Sequence, residues 1–147
     1  MTGETIEMHV HGIALTPERD FVIMLADRDR RKLLPIGVSP FDAEAIVLQL
    51  QGTQASRPLT HDLLRSLCIS FGAELKKVVI TDIKENIFHS TMYLRQEEKS
   101  VEIDARPSDA IALALKFSAP IFLERKLVEF TFNAEDFAFY PGPNELH

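Results

Sequence analysis

The feature that most constrains the fold is a segment that occurs twice. PFDAEAIVLQL at residues 40–50 aligns with PSDAIALALKF at 107–117, and a proline, an aspartate, two alanines and a leucine coincide. Each copy follows three segments with the apolar alternation of β-strands, so each half is predicted to run strand, strand, strand, helix, over about residues 6–52 and 74–118. We therefore predict a single compact α+β domain over residues 1–147 with an internal duplication.

Both copies begin as helices do. A proline occupies the first helical position and an aspartate the third, Asp42 in one copy and Asp109 in the other. Ser39 stands at the N-cap of the first copy, whereas Arg106 takes that place in the second. A carboxylate at the third position completes a capping arrangement and suits the helix dipole, which favours a structural role for both aspartates. Both helices have almost no polar face, so we expect burial on several sides.

The rest of the chain is predicted to add one helix and two strands. THDLLRSLCISFG gives a linker helix at about residues 60–72, with Thr60 as its N-cap. After residue 120 we predict a short strand, a charged turn, an alternating strand over 128–132 and an aromatic tail up to residue 147. Such a tail would cover an open core or dock on another subunit.

Composition narrows the functional classes. The net charge of −6 opposes broad electrostatic binding of nucleic-acid backbones, so any such contact must be local. The one basic cluster, DRDRRK at residues 27–32, is favoured as a solvated hairpin turn. No stretch is long and apolar enough to cross a bilayer, no secretory signal is evident and Cys68 is the only cysteine. We therefore predict a cytoplasmic protein without a membrane partner.

Several polar residues at element ends are candidate site residues. His61 and Asp62 begin the linker helix, where free N–H groups can seat an anion or simply start a helix. Asp82 ends an apolar strand, where it can line a site or cap a turn. Asp104 and Arg106 share one face of VEIDAR and can hold Mg²⁺ and a phosphate, although spacing alone favours a salt bridge between them.

Five segments in this order resemble the bifunctional nuclease domain family: LPIGVSPFDAEAI, RPLTHDLL, VVITDI, VEIDARPSDAIALAL and API, within about residues 6–130. The resemblance implies a compact α+β domain that cleaves both DNA and RNA and forms a homodimer or a higher homo-oligomer. One position departs from the family pattern, because Gly37 follows the first PI where a tryptophan is common.

The resemblance also supplies candidate roles. The catalytic candidates at matched positions are Asp104, Arg106, His61, Asp62 and Glu44, and the metal candidates are Asp82, Asp104 and Asp109. In this hypothesis Mg²⁺ or Mn²⁺ activates water, Arg106 stabilises charge on the phosphate and His61 transfers a proton. The open alternative is a non-enzymatic homo-oligomeric binding or regulatory module, which the acidic charge and the lack of a recognised metal or phosphate motif favour.

Overall fold

The structure is a computed structural model that describes residues 4–136. Its elements in chain order are β1 Thr5–Leu15, β2 Phe21–Asp27, β3 Lys32–Val38, α1 Pro40–Leu50, α2 Thr60–Ser70, β4 Ala73–Lys84, β5 Ile87–Gln96, β6 Lys99–Ala105, α3 Pro107–Phe117, β7 Ile121–Glu124, a 3₁₀ helix Arg125–Phe130, β8 Phe132–Asn133 and a 3₁₀ turn Ala134–Asp136.

All the strands belong to one sheet, in the order β6-β5-β4-β7-β1-β2-β3-β8. Each half contributes an antiparallel meander, β1 to β3 and β4 to β6, and β7 joins the two halves by pairing parallel to β4 and antiparallel to β1. The predicted α+β fold with a single compact domain is confirmed. The succession of strand, strand, strand and helix occurs in both halves, while their common origin remains a prediction.

The basic cluster is a hairpin turn, as its position between two strands predicted. One oxygen of Asp27, Oδ1, accepts hydrogen bonds from the backbone N–H groups of Arg31 at 2.8 Å and Lys32 at 3.1 Å. This turn connects β2 to β3, so the cationic residues of the segment lie at an end of the sheet.

Helix α3 is the centre of the core, whereas α1 is not. The five residues Ala110–Ala114 are all buried, and α3 contacts both other helices and strands from both halves of the sheet. In α1 only Ala43 and Ile46 are buried, and Phe41 is 84% exposed. The expected burial of α1 on several sides is therefore wrong, because α1 packs on one side only, against α3, β1 and β2.

Two other predicted elements differ from the structure. Helix α2 has Leu59, not Thr60, at its N-cap, because Asp62 Oδ2 accepts a hydrogen bond from the Leu59 N–H at 2.9 Å. The strand predicted over 128–132 is mostly the 3₁₀ helix, a conformation that lets Leu127 turn into the core. After the 3₁₀ helix, only the two residues of β8 form a strand, and they pair antiparallel with β3.

The predicted aromatic tail, with Phe137, Phe139 and Tyr140, lies outside the described residues. Within residues 4–136, no helix is both long enough and apolar enough to cross a membrane.

Candidate functional site

The first turns of all three helices meet at one place. There, potential ligand atoms of Asp42 in α1, His61 in α2 and Asp109 in α3 lie within 4.8 Å of one another. Arg106, at the N-cap of α3, adds a cation to this group. We call these four residues the Asp109 cluster. Within residues 4–136, Asp42, His61 and Asp109 are the only group of three or more His, Cys, Asp or Glu side chains close enough together to hold a metal ion.

Asp109 connects the cluster. Its Oδ1 lies 3.1 Å from His61 Nε2, and its Oδ2 accepts a hydrogen bond from Arg106 Nε at 2.8 Å. Partial burial by itself would raise the pKa of Asp109, but the hydrogen bonds and charges of Arg106 and His61 outweigh burial, so the pKa is lowered. The same hydrogen bond to Asp109 raises the pKa of Arg106. Asp109 is therefore an ionised carboxylate at neutral pH.

His61 is held in one orientation by this carboxylate. The residue is only 4% exposed, and an ionised carboxylate can only accept hydrogen bonds. His61 Nε2 therefore carries a hydrogen in the contact with Asp109, and a neutral imidazole keeps its lone pair on Nδ1. A buried histidine with a carboxylate partner is an arrangement used to orient catalytic bases and metal ligands.

Asp42 enters the cluster from the other repeat. Ser39 Oγ accepts a hydrogen bond from the Asp42 N–H at 3.2 Å and donates one to Asp42 Oδ2 at 3.0 Å, which completes the predicted cap. The same Oδ2 lies 3.9 Å from a terminal nitrogen of Arg106. Sequence reasoning gave Asp42 a structural role only. Its correspondence to Asp109 in the repeat was the signal that could have identified it as a site residue.

Arg106 is the exposed member of the cluster, with 70% of its side chain accessible. It borders a cleft of about 360 Å³ between β3, the β4–β5 turn and the start of α3. The cleft is lined by Ile36, Gly37, Val38, Ser39, Asn86, Ile87, Phe88, Arg106, Pro107 and Ser108. The position is suited to an anionic group, because a guanidinium offers several N–H donors to phosphate oxygens.

Asp62 and Glu44, both predicted to be catalytic, lie outside the cluster. The Asp62 carboxylate caps α2 through Leu59 and forms an ion pair with Lys116 at 2.7 Å. The hydrogen bond from Lys116, followed by that from the Leu59 N–H, lowers the pKa of Asp62. Glu44 is exposed on α1, and the structure gives it neither an ion pair nor a side-chain hydrogen bond within residues 4–136.

Asp82 and Asp104, predicted to bind metal, are not brought into the cluster. Asp82 lies on β4, where Oδ1 accepts a hydrogen bond from the Ile83 N–H at 2.9 Å and lies 3.8 Å from Lys126 Nζ. Asp104 is exposed on the edge strand β6. Arg106 is paired with Asp109 and Asp42 rather than with Asp104, because β6 ends at Ala105 and the chain has turned into α3. Of the three metal candidates, only Asp109 belongs to the cluster.

The potential ligand atoms of the cluster fit a divalent cation that accepts both oxygen and nitrogen ligands. Two carboxylates and an imidazole suit Mn²⁺ better than Mg²⁺, which prefers oxygen ligands. A cation bound by His61 Nε2 would replace the hydrogen on that nitrogen and would compete with Arg106 for Asp109. The site is thus chemically suitable for Mn²⁺, and its affinity for the ion is expected to fall as the pH falls.

Comparisons with known proteins place this geometry in context. The chain matches the bifunctional nuclease domain over residues 23–133, a range that contains the whole Asp109 cluster. It is 36% identical over 123 residues to uncharacterized proteins from two strains of Mycobacterium tuberculosis, covering 83% of this chain and 73% of theirs.

Two plant proteins are more distant relatives. Identity is 28% over 98 residues to bifunctional nuclease 1 of Oryza sativa subsp. indica and 26% over 98 residues to bifunctional nuclease 2 of Arabidopsis thaliana. Each alignment covers 65% of this chain and 30% of the plant protein. The similarity is therefore confined to one part of the longer plant proteins.

Proposed function

The chain belongs to the bifunctional nuclease domain family, and from this premise we propose that it hydrolyses phosphodiester bonds in DNA and RNA at the Asp109 cluster, with Mn²⁺ or Mg²⁺. The observation that carries the proposal is that one carboxylate, Asp109, contacts both a buried histidine and an exposed arginine. Such a group combines a place for a cation with a place for a phosphate, which are the two requirements of metal-assisted phosphodiester hydrolysis.

Arg106 is proposed to bind the phosphate. Its Nε is occupied by Asp109, and its terminal nitrogen is 3.9 Å from Asp42, too far for a hydrogen bond. The terminal N–H groups thus remain available for the non-bridging oxygens of a phosphodiester, where they stabilise the charge that develops during attack by water. The bound phosphate would occupy the cleft that Arg106 borders.

Asp42, His61 and Asp109 are proposed to hold the cation. When bound, a divalent ion supplies a water molecule of lowered pKa and neutralises charge on the phosphate. We assign His61 to ligand binding and orientation rather than to proton transfer, because its 4% exposure leaves little room for exchange with substrate. This assignment differs from the proton-transfer role that His61 has in the sequence-based hypothesis.

Cleavage assays can test the proposal directly. The purified protein would be incubated with labelled single-stranded RNA and duplex DNA, with Mn²⁺, with Mg²⁺ and with a chelator. Cleavage is expected with Mn²⁺ and is expected to stop with the chelator. His61→Gln should lower the rate by about 100-fold or more, because a ligand of the cation is lost, whereas His9→Gln, which changes an exposed histidine of β1, should not.

A contaminating nuclease must be excluded in the same assay. Activity should coincide with the protein across two chromatographic steps and should be lost in the His61→Gln preparation made in the same way. Full activity in that variant, or activity that separates from the protein, would contradict the proposal.

Metal binding can be measured without cleavage. Calorimetric titration with Mn²⁺ should show one site, with an affinity that falls about 10- to 100-fold in Asp42→Asn. Equal binding of Mn²⁺ by wild type and Asp42→Asn would place the ion elsewhere.

The second candidate function is a homo-oligomeric binding module. It is favoured by α2, whose apolar residues Leu63 and Leu67 are exposed, together with Phe71 at its C-cap, although the helix buries His61. Exposed apolar clusters of this kind mark association surfaces. We propose that the chain forms a homodimer or a higher homo-oligomer through α2, which is compatible with nuclease activity. The cytoplasmic location remains a prediction.

A further inference from the structure

A positively charged groove lies beside the Asp109 cluster. It has a volume of about 510 Å³ and runs between the end of α1, the loop at residues 51–59 and the first turns of α2. Three cations line it, Arg57, Arg65 and Lys116, against one carboxylate, Asp62. The groove is therefore locally basic in a chain whose net charge is −6.

The two arginines are available to an anionic ligand. Within the described part of the chain, neither Arg57 nor Arg65 forms an ion pair with a carboxylate. The Arg65 guanidinium is held over the Phe117 ring, 5.7 Å from its centroid. Lys116 is recessed, with 19% of its side chain exposed, and is partly neutralised by Asp62 at 2.7 Å. A ligand in the groove thus meets two unpaired cations near the surface and a third deeper in.

The groove and the cluster share two helices. His61 and Asp62 are consecutive in α2, and the first contacts Asp109 while the second contacts Lys116. Asp109 and Lys116 are two helical turns apart in α3, about 10 Å along its axis. A stacked strand rises about 3.4 Å per nucleotide along its axis, so that distance corresponds to a rise of about three nucleotides. A nucleic-acid strand whose scissile phosphate binds at Arg106 can therefore place neighbouring phosphates along the groove.

We propose that this groove binds the sugar-phosphate backbone of a single nucleic-acid strand, an inference that rests on the proposed nuclease function. A single strand fits better than a duplex because it can bend toward the recessed Lys116, whereas the phosphates of a rigid duplex reach only the rim. The loop adds polar groups at Thr53, Gln54 and Ser56 for hydrogen bonds to the backbone.

The lining also predicts how the strand is recognised. Among the described residues that line the groove, none is aromatic, so bases have no stacking platform there. Binding through phosphate contacts carries little sequence information and depends strongly on salt. This agrees with a nuclease that accepts both DNA and RNA, since both have the same phosphate backbone.

Fluorescence anisotropy provides the test. A labelled single strand of about 12 nucleotides, as DNA and as RNA, would be titrated with the full chain in chelator, so that nothing is cleaved. The test variant combines Arg57→Glu and Arg65→Glu, and the matched control is a double charge reversal at two exposed lysines on the meander of the second half, Lys84→Glu and Lys99→Glu. Thermal unfolding of each protein would show whether it is folded.

The groove variant is expected to bind at least about tenfold more weakly than wild type and to have a shallower dependence of log affinity on log salt, by about 0.7 for each phosphate that is no longer neutralised. The control should bind much more tightly than the groove variant. Equal reductions in the two variants would overturn the proposal, because they would show that only net charge matters. So would unchanged binding by the groove variant.

Competitors distinguish a strand from a small anion. Unlabelled single strand should displace the probe more effectively than duplex of the same length, inorganic phosphate or a mononucleotide. A mononucleotide that competes as well as the strand would contradict the proposal. The outcome is independent of catalysis. Weaker binding by the groove variant of a protein that does not cleave would support the groove and refute the nuclease. Cleavage by a protein whose binding does not depend on the groove would support the nuclease and refute the groove.

Discussion

His61 and Asp109 are 48 residues apart in the sequence, and the structure joins them by a 3.1 Å contact between Nε2 of the imidazole and Oδ1 of the carboxylate. The contact ties the first turn of α2 to the first turn of α3, across the boundary between the linker helix and the second repeat. It gives a buried polar side chain its hydrogen-bond partner, which a core position requires.

The two residues should therefore be energetically coupled. We expect His61→Gln and Asp109→Asn each to lower the free energy of unfolding, and the double variant to lower it by less than the sum, with a coupling of about 0.5–3 kcal/mol. Urea unfolding of the four proteins measures this. Additive effects would show that the contact contributes nothing to stability.

The sequence predicted the helix starts that carry Asp42 and Asp109 but not that the two aspartates lie close together. The helix starts at Pro40 and Pro107 follow from local rules of capping, which need only neighbouring residues. That Asp42 and Asp109 converge depends on how the two meanders pack and on β7, a pairing set by tertiary structure. Local patterns therefore identified His61 as a candidate and gave Asp42 and Asp109 a structural role. The family resemblance added Asp109 as a metal candidate, Asp42 was missed, and neither source could show which candidates lie together.

Stability should depend on pH through the Asp62–Lys116 ion pair. The pKa of Asp62 is lowered below its ordinary value of 3.8 in the folded state, chiefly by the hydrogen bond from Lys116. The folded state then binds fewer protons than the unfolded state, so the contribution is complete above the unfolded pKa and is lost as the pH falls through the folded pKa.

Urea midpoints between about pH 2.5 and pH 7 would reveal this contribution. Wild type should lose more stability than Asp62→Asn as the medium is acidified below the ordinary value of 3.8. Asp29→Asn, in the β2–β3 turn, removes a carboxylate without a hydrogen-bond partner within residues 4–136 and should follow wild type. Parallel curves for wild type and Asp62→Asn would contradict the role of the ion pair.

The close packing of α3 makes Ala112 intolerant of larger side chains. Ala112 is buried, and the void that it lines holds only about 10 Å³, too little for a leucine side chain. Ala112→Leu should lower the free energy of unfolding by roughly 1–3 kcal/mol. Ala55→Leu, in an exposed loop, is the control and should change it by less than about 0.5 kcal/mol. An unchanged melting temperature for Ala112→Leu would contradict the packing described for α3.

The exposed side of α2 should govern self-association. Leu67→Glu places a charge in the apolar surface and is expected to weaken association by about tenfold or more. Leu15→Glu introduces the same change at another exposed leucine, at the end of β1, and should leave the oligomer intact. Light scattering after size-exclusion chromatography measures both. A monomeric wild type, or an oligomer unaffected by Leu67→Glu, would refute an interface on α2.

Alternation along a strand predicted the wrong partner for Arg106. It placed Asp104 and Arg106 on one face of VEIDAR, which holds only while the strand continues. The strand ends at Ala105, and Arg106 adopts the extended cap conformation that starts α3, so its side chain pairs with Asp109 instead. Helix-capping geometry decides the partner of Arg106, and it was visible in the sequence as the arginine before Pro107.

The central claim is that phosphodiester cleavage takes place at the Asp109 cluster, and the most direct measurement is the single-turnover cleavage rate of Asp109→Asn beside Asp104→Asn on one labelled RNA strand with Mn²⁺. We predict a loss of about 100-fold or more for Asp109→Asn, because a ligand of the cation is lost, and a wild-type rate for Asp104→Asn, whose side chain lies on β6 outside the cluster. A wild-type rate in Asp109→Asn, or a loss in Asp104→Asn alone, would contradict the claim.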